Sequence, residues 1–95
     1  MKPYRFNEDK DKFLREKRKI GFLDIIKAVE EGHVLKSIDN PNRKKFPNQK
    51  MMLVKIKKYI YVVPYVETEN EIFLKTIYPS RKYTKKLKVK SRSWN

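Results

Sequence analysis

The chain has 95 residues, no cysteine and a formal net charge of +14, and 39% of its residues are hydrophobic. A chain of this length supports one compact two-layer domain and excludes a second core. Without cysteine, disulfide scaffolds and thiolate metal sites are excluded, and the lack of a long apolar run predicts no membrane helix. The N-terminus MKPYRFNEDK lacks the apolar segment of a signal peptide, so we expect a cytoplasmic protein.

The first third of the chain predicts a short strand, over residues 3–6, followed by two helices. Asn7 is a favoured N-cap, and acidic residues follow it while basic residues precede Gly21, so the first helix is predicted over about 8–18. The second helix is predicted between Gly21 and Gly32. Its apolar residues recur at i, i+3, i+4 and i+7, namely Phe22, Ile25, Ile26 and Val29. We expect this second helix to anchor the core.

The remainder predicts a meander of strands over residues 33–39, 50–57, 59–66 and 72–78. The segment NPNRKKFPNQ between the first two of these strands has the composition of an exposed loop. Tight turns are expected at Lys57-Lys58 and over residues 67–71. Pro64 cannot donate to a sheet ladder, so we expect it to face an unpaired side or to sit at a bulge.

These turns, taken literally, divide the strand side chains between two faces of the sheet. One predicted face carries Met52, Val54, Ile56, Tyr61, Val63, Tyr65, Leu74 and Tyr78. The other carries Leu53, Lys55, Ile60, Val62, Phe73, Lys75 and Ile77. One face must take the two helices, and the other is either lined by a C-terminal helix or left for a partner or substrate. The predicted fold is therefore α+β, with two N-terminal helices packed on a small, mainly antiparallel sheet and a short C-terminal helix, in one domain over 1–95 with a basic tail from about 88.

Positive charge rises along the chain: residues 1–40 carry a net +2, residues 41–79 a net +5 and residues 80–95 a net +7. Such a gradient attracts nucleic acid or an acidic protein, whereas the tail lacks the broad apolar face that a membrane-surface helix needs. At the start of the most basic part, Ser80 is a favoured N-cap and Arg81 and Lys82 follow it. The free N–H groups of a first helical turn, beside these two cations, predict a pocket for an anion such as phosphate. A lysine-rich helix that only aids solubility is the alternative.

Tyrosines are interleaved with the cations of the central and C-terminal parts. Cations neutralise phosphates and rings stack on unpaired bases, so this pattern favours single-stranded RNA as the ligand. The expected RNA-binding residues are Arg43, Lys55, Lys57, Tyr61, Lys85 and Lys86. If the central strands pair as predicted, these residues could line one groove with Lys75, Arg81 and Lys82. For any one tyrosine, the alternative is a packing role in the sheet.

RNA cleavage without a metal needs a base, an acid and cations around the phosphate. His33 is the only histidine, which excludes a paired-histidine mechanism. The candidate catalytic residues are therefore Lys75, Arg81 and Lys82, because a lysine crowded by other cations can transfer protons near neutral pH. Glu67 is a second candidate base, although it belongs to an acidic turn that is more simply solvated. No cluster has metal-ligand spacing and the chain has only two glycines, so neither a metal nor a cofactor is expected.

The order of these elements resembles that of the BrnT-type toxins of the RelE-like superfamily. The segment FNEDKDKFLREKRKIGFLDIIKAVEEG is similar to the family's lysine-rich helix, KHG-like turn and amphipathic helix. The segment VVPYVETENEIFLKTIYPSRKYTKK is similar to its terminal strand, arginine-lysine pair and closing basic helix, so the resemblance covers most of residues 4–88. Two positions depart from the family: KRKI at 17–20 replaces the turn with its histidine, and FPNQK stands where a glutamate and an arginine tend to lie.

The resemblance implies a RelE-like fold and a ribonuclease toxin that inhibits translation by cutting mRNA. It also implies a cognate antitoxin, usually DNA-binding, that covers the active surface. By position, Arg81 and Lys82 match the family's arginine-lysine pair. Two other functions remain open: a small RNA- or DNA-binding module without catalysis, and a basic face that mainly binds an acidic partner protein.

Overall fold

The structure is a computed structural model that describes residues 2–86. The described elements, in chain order, are β1 (Tyr4–Phe6), α1 (Glu8–Arg18), α2 (Phe22–Glu30), β2 (Val34–Asp39), β3 (Gln49–Ile56), β4 (Tyr59–Glu67), β5 (Ile72–Leu74) and β6 (Tyr78–Pro79). Residues 81–86 are helical and are called α3 here. The predicted basic tail from about 88 lies outside the described residues.

The strands form one sheet in the order β1-β5-β4-β3-β2, with β6 also paired to β4. The β1–β5 pair is parallel and the other pairs are antiparallel. This arrangement confirms the predicted fold class of two N-terminal helices on a mainly antiparallel sheet with a short C-terminal helix. The element limits agree with the predicted ones to within a residue or two, except in the last strand.

Local hydrogen bonds explain where the two N-terminal helices begin, and a glycine explains where the second one ends. Asn7 caps α1, because its side-chain oxygen accepts from the backbone N–H of Lys10 at 2.9 Å. Asp24 accepts from the backbone N–H of Gly21 at 2.8 Å and so closes the first turn of α2. Gly32 follows α2 with φ of +82°, a left-handed conformation that glycine adopts at no steric cost.

The predicted register of the β3–β4 hairpin is confirmed. Ile56 pairs with Tyr59 across the Lys57-Lys58 turn, in which Lys57 has φ of +58°. The sequence left open which face takes the helices, and the structure shows that it is the face with Met52, Val54 and Val63. Its buried side chains pack with those of the helical layer, the largest being Phe22, Leu14 and Ile25. The opposite face, called the open face here, holds a second buried cluster of Met51, Leu53, Ile60 and Val62.

The predicted single strand over 72–78 is wrong, because the chain leaves the ladder after Leu74. Lys75 donates its backbone N–H to the carbonyl of Pro64 at 2.8 Å, but Pro64 has no N–H to return. Tyr65 pairs with Leu74 while Val62 pairs with Tyr78, so the register shifts by one residue between these pairs. Pro64 thus lies opposite a bulge, one of the two positions predicted for it.

This one-residue shift corrects the predicted faces of two residues, since side chains alternate along a strand. Ile77 is fully buried in the core beneath the helices instead of lying on the open face. Tyr78 lies on the open face instead of the helical side, and its hydroxyl donates to Sδ of Met51 at 3.7 Å. The break therefore places an aromatic ring on the open face.

Candidate nucleic-acid interface

Two segments of the chain carry cations and no acid. Residues 40–66 and 72–86 contain no acidic residue, and their strands β3, β4, β5 and β6 are joined in the sheet. We call these two segments the acid-free region. Its cations are Arg43, Lys44, Lys45, Lys50, Lys55, Lys57, Lys58, Lys75, Arg81, Lys82, Lys85 and Lys86. The acids lie in the first 39 residues and in the 67–71 turn. No acid of the acid-free region itself therefore reduces its positive potential.

Backbone and side-chain hydrogen bonds attach α3 to the start of β4. The N–H of Ser80 donates to the carbonyl of Ile60 at 2.9 Å, and the N–H of Ile60 donates to Oγ1 of Thr84 at 2.8 Å. Ser80 acts as the predicted N-cap, because its Oγ accepts from the backbone N–H of Tyr83 at 3.2 Å. The ring of Tyr83 packs against the buried cluster of the open face. The remaining residues of α3 are exposed cations: Arg81, Lys82, Lys85 and Lys86.

A groove of about 720 Å³ lies on the open face, at the end of the sheet away from the β3–β4 turn. Its apolar lining comes from two places: Pro64 and Val66 on β4, and Phe46 and Pro47 in the loop before β3. Lys75 and Tyr78, which lie on either side of the break between β5 and β6, also line the groove. No acidic residue lines the groove.

Tyr78 lies between the groove and α3. Its pKa is raised above the ordinary tyrosine value, first because burial disfavours the phenolate and second because the Tyr83 hydroxyl lies nearby. Tyr78 is therefore neutral across the physiological pH range and presents a ring to the groove. Tyr78 as a whole residue is 37% exposed, so a ligand can reach it.

The structure does not bring all the expected site residues into one groove. Lys75 lines the groove, with Nζ 5.0 Å from the centre of the Phe73 ring. Arg43 lies in the adjoining loop and makes a loose ion pair with Asp39, at 3.9 Å. Arg81, Lys82, Lys85 and Lys86 lie on α3, and the groove is not lined by any of them.

The hairpin end carries the other expected residues. Lys55 and Lys57 line a smaller depression with His33 and the acids Asp24 and Glu31. Tyr61 lies on the helical side of the sheet, with its ring 5.8 Å from that of Tyr59. Tyr61 and Lys75 therefore lie on opposite faces. His33 is exposed, and its Nε2 lies 3.8 Å from Oε1 of Glu31. Within residues 2–86 no group of three or more His, Cys, Asp or Glu side chains could hold a metal ion.

Phe46 was not among the site residues expected from the sequence. Tyr78 was expected only as one of the tyrosines interleaved with the cations, and on the other face of the sheet. Phe46 is an exposed ring with Nζ of Lys45 5.4 Å from its centre. The available signal was an aromatic residue in an otherwise polar, basic loop. The position of Tyr78 had no local signal, because it depends on the register shift opposite Pro64.

Comparison with known proteins gives no relative from which to transfer a function. No protein-family model, curated protein or solved structure matches the chain. Along the described part of the chain, no helix is long and apolar enough to cross a membrane.

Proposed function

We propose that the protein binds single-stranded RNA through its acid-free region and cleaves it, acting as the toxin of a toxin–antitoxin pair in the cytoplasm. The observation that carries the proposal is the set of twelve cations in two paired segments without one acid. RNA phosphates match such a surface, and each neutralised phosphate releases counterions. The element order also agrees with the one that the resemblance to BrnT-type toxins implies.

In the proposed reaction, a base takes the proton of the 2′-hydroxyl as its oxygen attacks the neighbouring phosphorus. The bond to the 5′-oxygen breaks as an acid protonates that oxygen, which leaves a 2′,3′-cyclic phosphate. Arg81 would clamp the phosphate, because a guanidinium can donate two parallel hydrogen bonds to it. Lys82 adds a second cation on the same exposed turn, and Lys75 supplies an exposed ammonium at the groove. The cognate antitoxin would neutralise this activity by covering the acid-free region.

The test replaces the proposed clamp. Cells that express Arg81→Ala should escape the growth arrest caused by the wild-type protein, and the purified variant should cleave labelled single-stranded RNA about 100-fold more slowly. Arg18→Ala, which removes an exposed arginine from the last turn of α1, is the matched control and should stay toxic. Unchanged toxicity of Arg81→Ala, with an unchanged unfolding midpoint, would remove Arg81 from the site.

A second candidate function is binding of RNA without cleavage. The observation that favours it is the position of the only histidine, which lies beside Glu31 at the hairpin end and not at the groove. Incubating purified protein with labelled RNA, with and without ribosomes, separates the two functions. Salt-sensitive binding with intact RNA in both conditions would select the binding module over the ribonuclease.

A further inference from the structure

The groove on the open face differs from the rest of the acid-free region, since its lining is mainly apolar. Pro64 and Val66 form part of its floor, and Phe46 and Tyr78 contribute rings from two separate segments. A purely electrostatic RNA surface has no need of such a recess. Its volume, about 720 Å³, lies within the range of pockets that bind small organic groups.

Polar groups of the groove are held in place by local hydrogen bonds. The Asn40 side-chain amide donates to Oε1 of Gln49 at 2.7 Å, and its own oxygen accepts from the N–H of Asn42 at 2.9 Å. Asn40 and Gln49 both line the groove, so these bonds orient two amides at its edge. Amides of this kind provide both donors and acceptors to the edge of a base.

Charge indicates the kind of occupant. The groove lining includes Lys75 and no acid, and the adjoining loop presents Arg43, Lys44 and Lys45. The occupant that matches these surroundings carries a negative charge next to a flat, largely apolar group with polar edges. One nucleotide of an unpaired RNA strand has all three properties.

We infer that the groove holds one unpaired base of the bound RNA, in contact with the rings of Phe46 and Tyr78, while Lys75 contacts the neighbouring phosphate. This inference rests on the proposed function. It identifies the place where the protein contacts a base of the RNA in addition to the sugar-phosphate backbone. Contacts between a base and an aromatic ring tolerate sequence variation, because every base has a π-face.

The test compares two labelled strands of about ten nucleotides, one of ordinary RNA and one with abasic sugars and the same number of phosphates. Wild-type protein should bind the ordinary strand at least about fivefold more tightly. Phe46→Leu and Tyr78→Leu should each lose most of this preference while keeping their affinity for the abasic strand. The variants should be checked for wild-type unfolding midpoints.

Phe13→Leu is the matched control. Phe13 is also an exposed phenylalanine with a lysine over its ring, Nζ of Lys10 lying 5.5 Å from the centre, but it lies on α1. Its substitution should leave the preference intact. Equal wild-type binding of both strands would overturn the base site and leave RNA binding standing, as would preference retained in both groove variants. Failure to bind either strand would overturn the proposed function itself, and would favour an acidic protein as the ligand of this face.

Discussion

The side chain of Asp11 in α1 links the two N-terminal helices by a hydrogen bond to the first turn of α2. Its Oδ1 accepts from the backbone N–H of Phe22 at 2.8 Å, and its Oδ2 accepts from Nε of Arg15 at 3.0 Å. The side chain thus satisfies a first-turn N–H of α2 from within α1. Gly21 must pass close to this contact, since a Cβ there would lie 2.7 Å from Oδ1 of Asp11.

Replacement of Asp11 should therefore destabilise the fold more than its position on a surface helix indicates. Asp11→Ala leaves the buried N–H of Phe22 without its acceptor, which costs about 1–3 kcal/mol of unfolding free energy. Glu16→Ala, an exposed change on the same helix, should shift it by less than about 0.5 kcal/mol. Urea unfolding of both variants measures the difference, and equal stabilities would contradict this role of Asp11.

Elements with local signals could be predicted from the sequence, whereas the strand break could not. Asn7 and Ser80 are caps that act within three residues, and the Lys57-Lys58 turn sets the β3–β4 register by itself. The faces of Ile77 and Tyr78 depend on Pro64, which lies in another strand. The groove was likewise not predictable, because it requires the Phe46 loop to lie beside that break.

The hydroxyl of Thr84 makes one of the two hydrogen bonds that attach α3 to β4. Thr84→Val keeps the shape of the side chain but removes the acceptor of the buried Ile60 N–H. We expect α3 to open more often, with amide hydrogen exchange over residues 81–86 faster by about tenfold, a change of about 1.4 kcal/mol in opening free energy. Thr68→Val, whose hydroxyl serves the 67–71 turn, should leave exchange in α3 unchanged. Unchanged exchange in Thr84→Val would show that the Ser80–Ile60 hydrogen bond and the Tyr83 contacts hold the helix without this hydroxyl.

At the scale of the whole molecule, cations occur throughout the chain, whereas the acids are confined to the first 39 residues and to the 67–71 turn. The helical layer mixes both signs, with Glu8, Asp9 and Asp11 in the first turn of α1 and three cations in its last turn. The loop before β3, the hairpin turn and α3 carry cations alone. If the acid-free region is the RNA-binding surface, the loss of RNA affinity on removing cations should depend on where those cations lie and not only on how many are removed.

Two triple variants test this claim most directly, because each removes three consecutive charges. The first is Arg43→Gln with Lys44→Gln and Lys45→Gln, in the acid-free region; the second is Lys17→Gln with Arg18→Gln and Lys19→Gln, at the end of α1. The measurement is affinity for single-stranded RNA between about 50 and 200 mM salt. The loop variant should bind more weakly, with a salt slope smaller by about 2 if all three side chains contact phosphates, while the helix variant keeps the wild-type slope. Equal losses in the two variants would show that net charge alone attracts RNA and would contradict a defined RNA-binding surface.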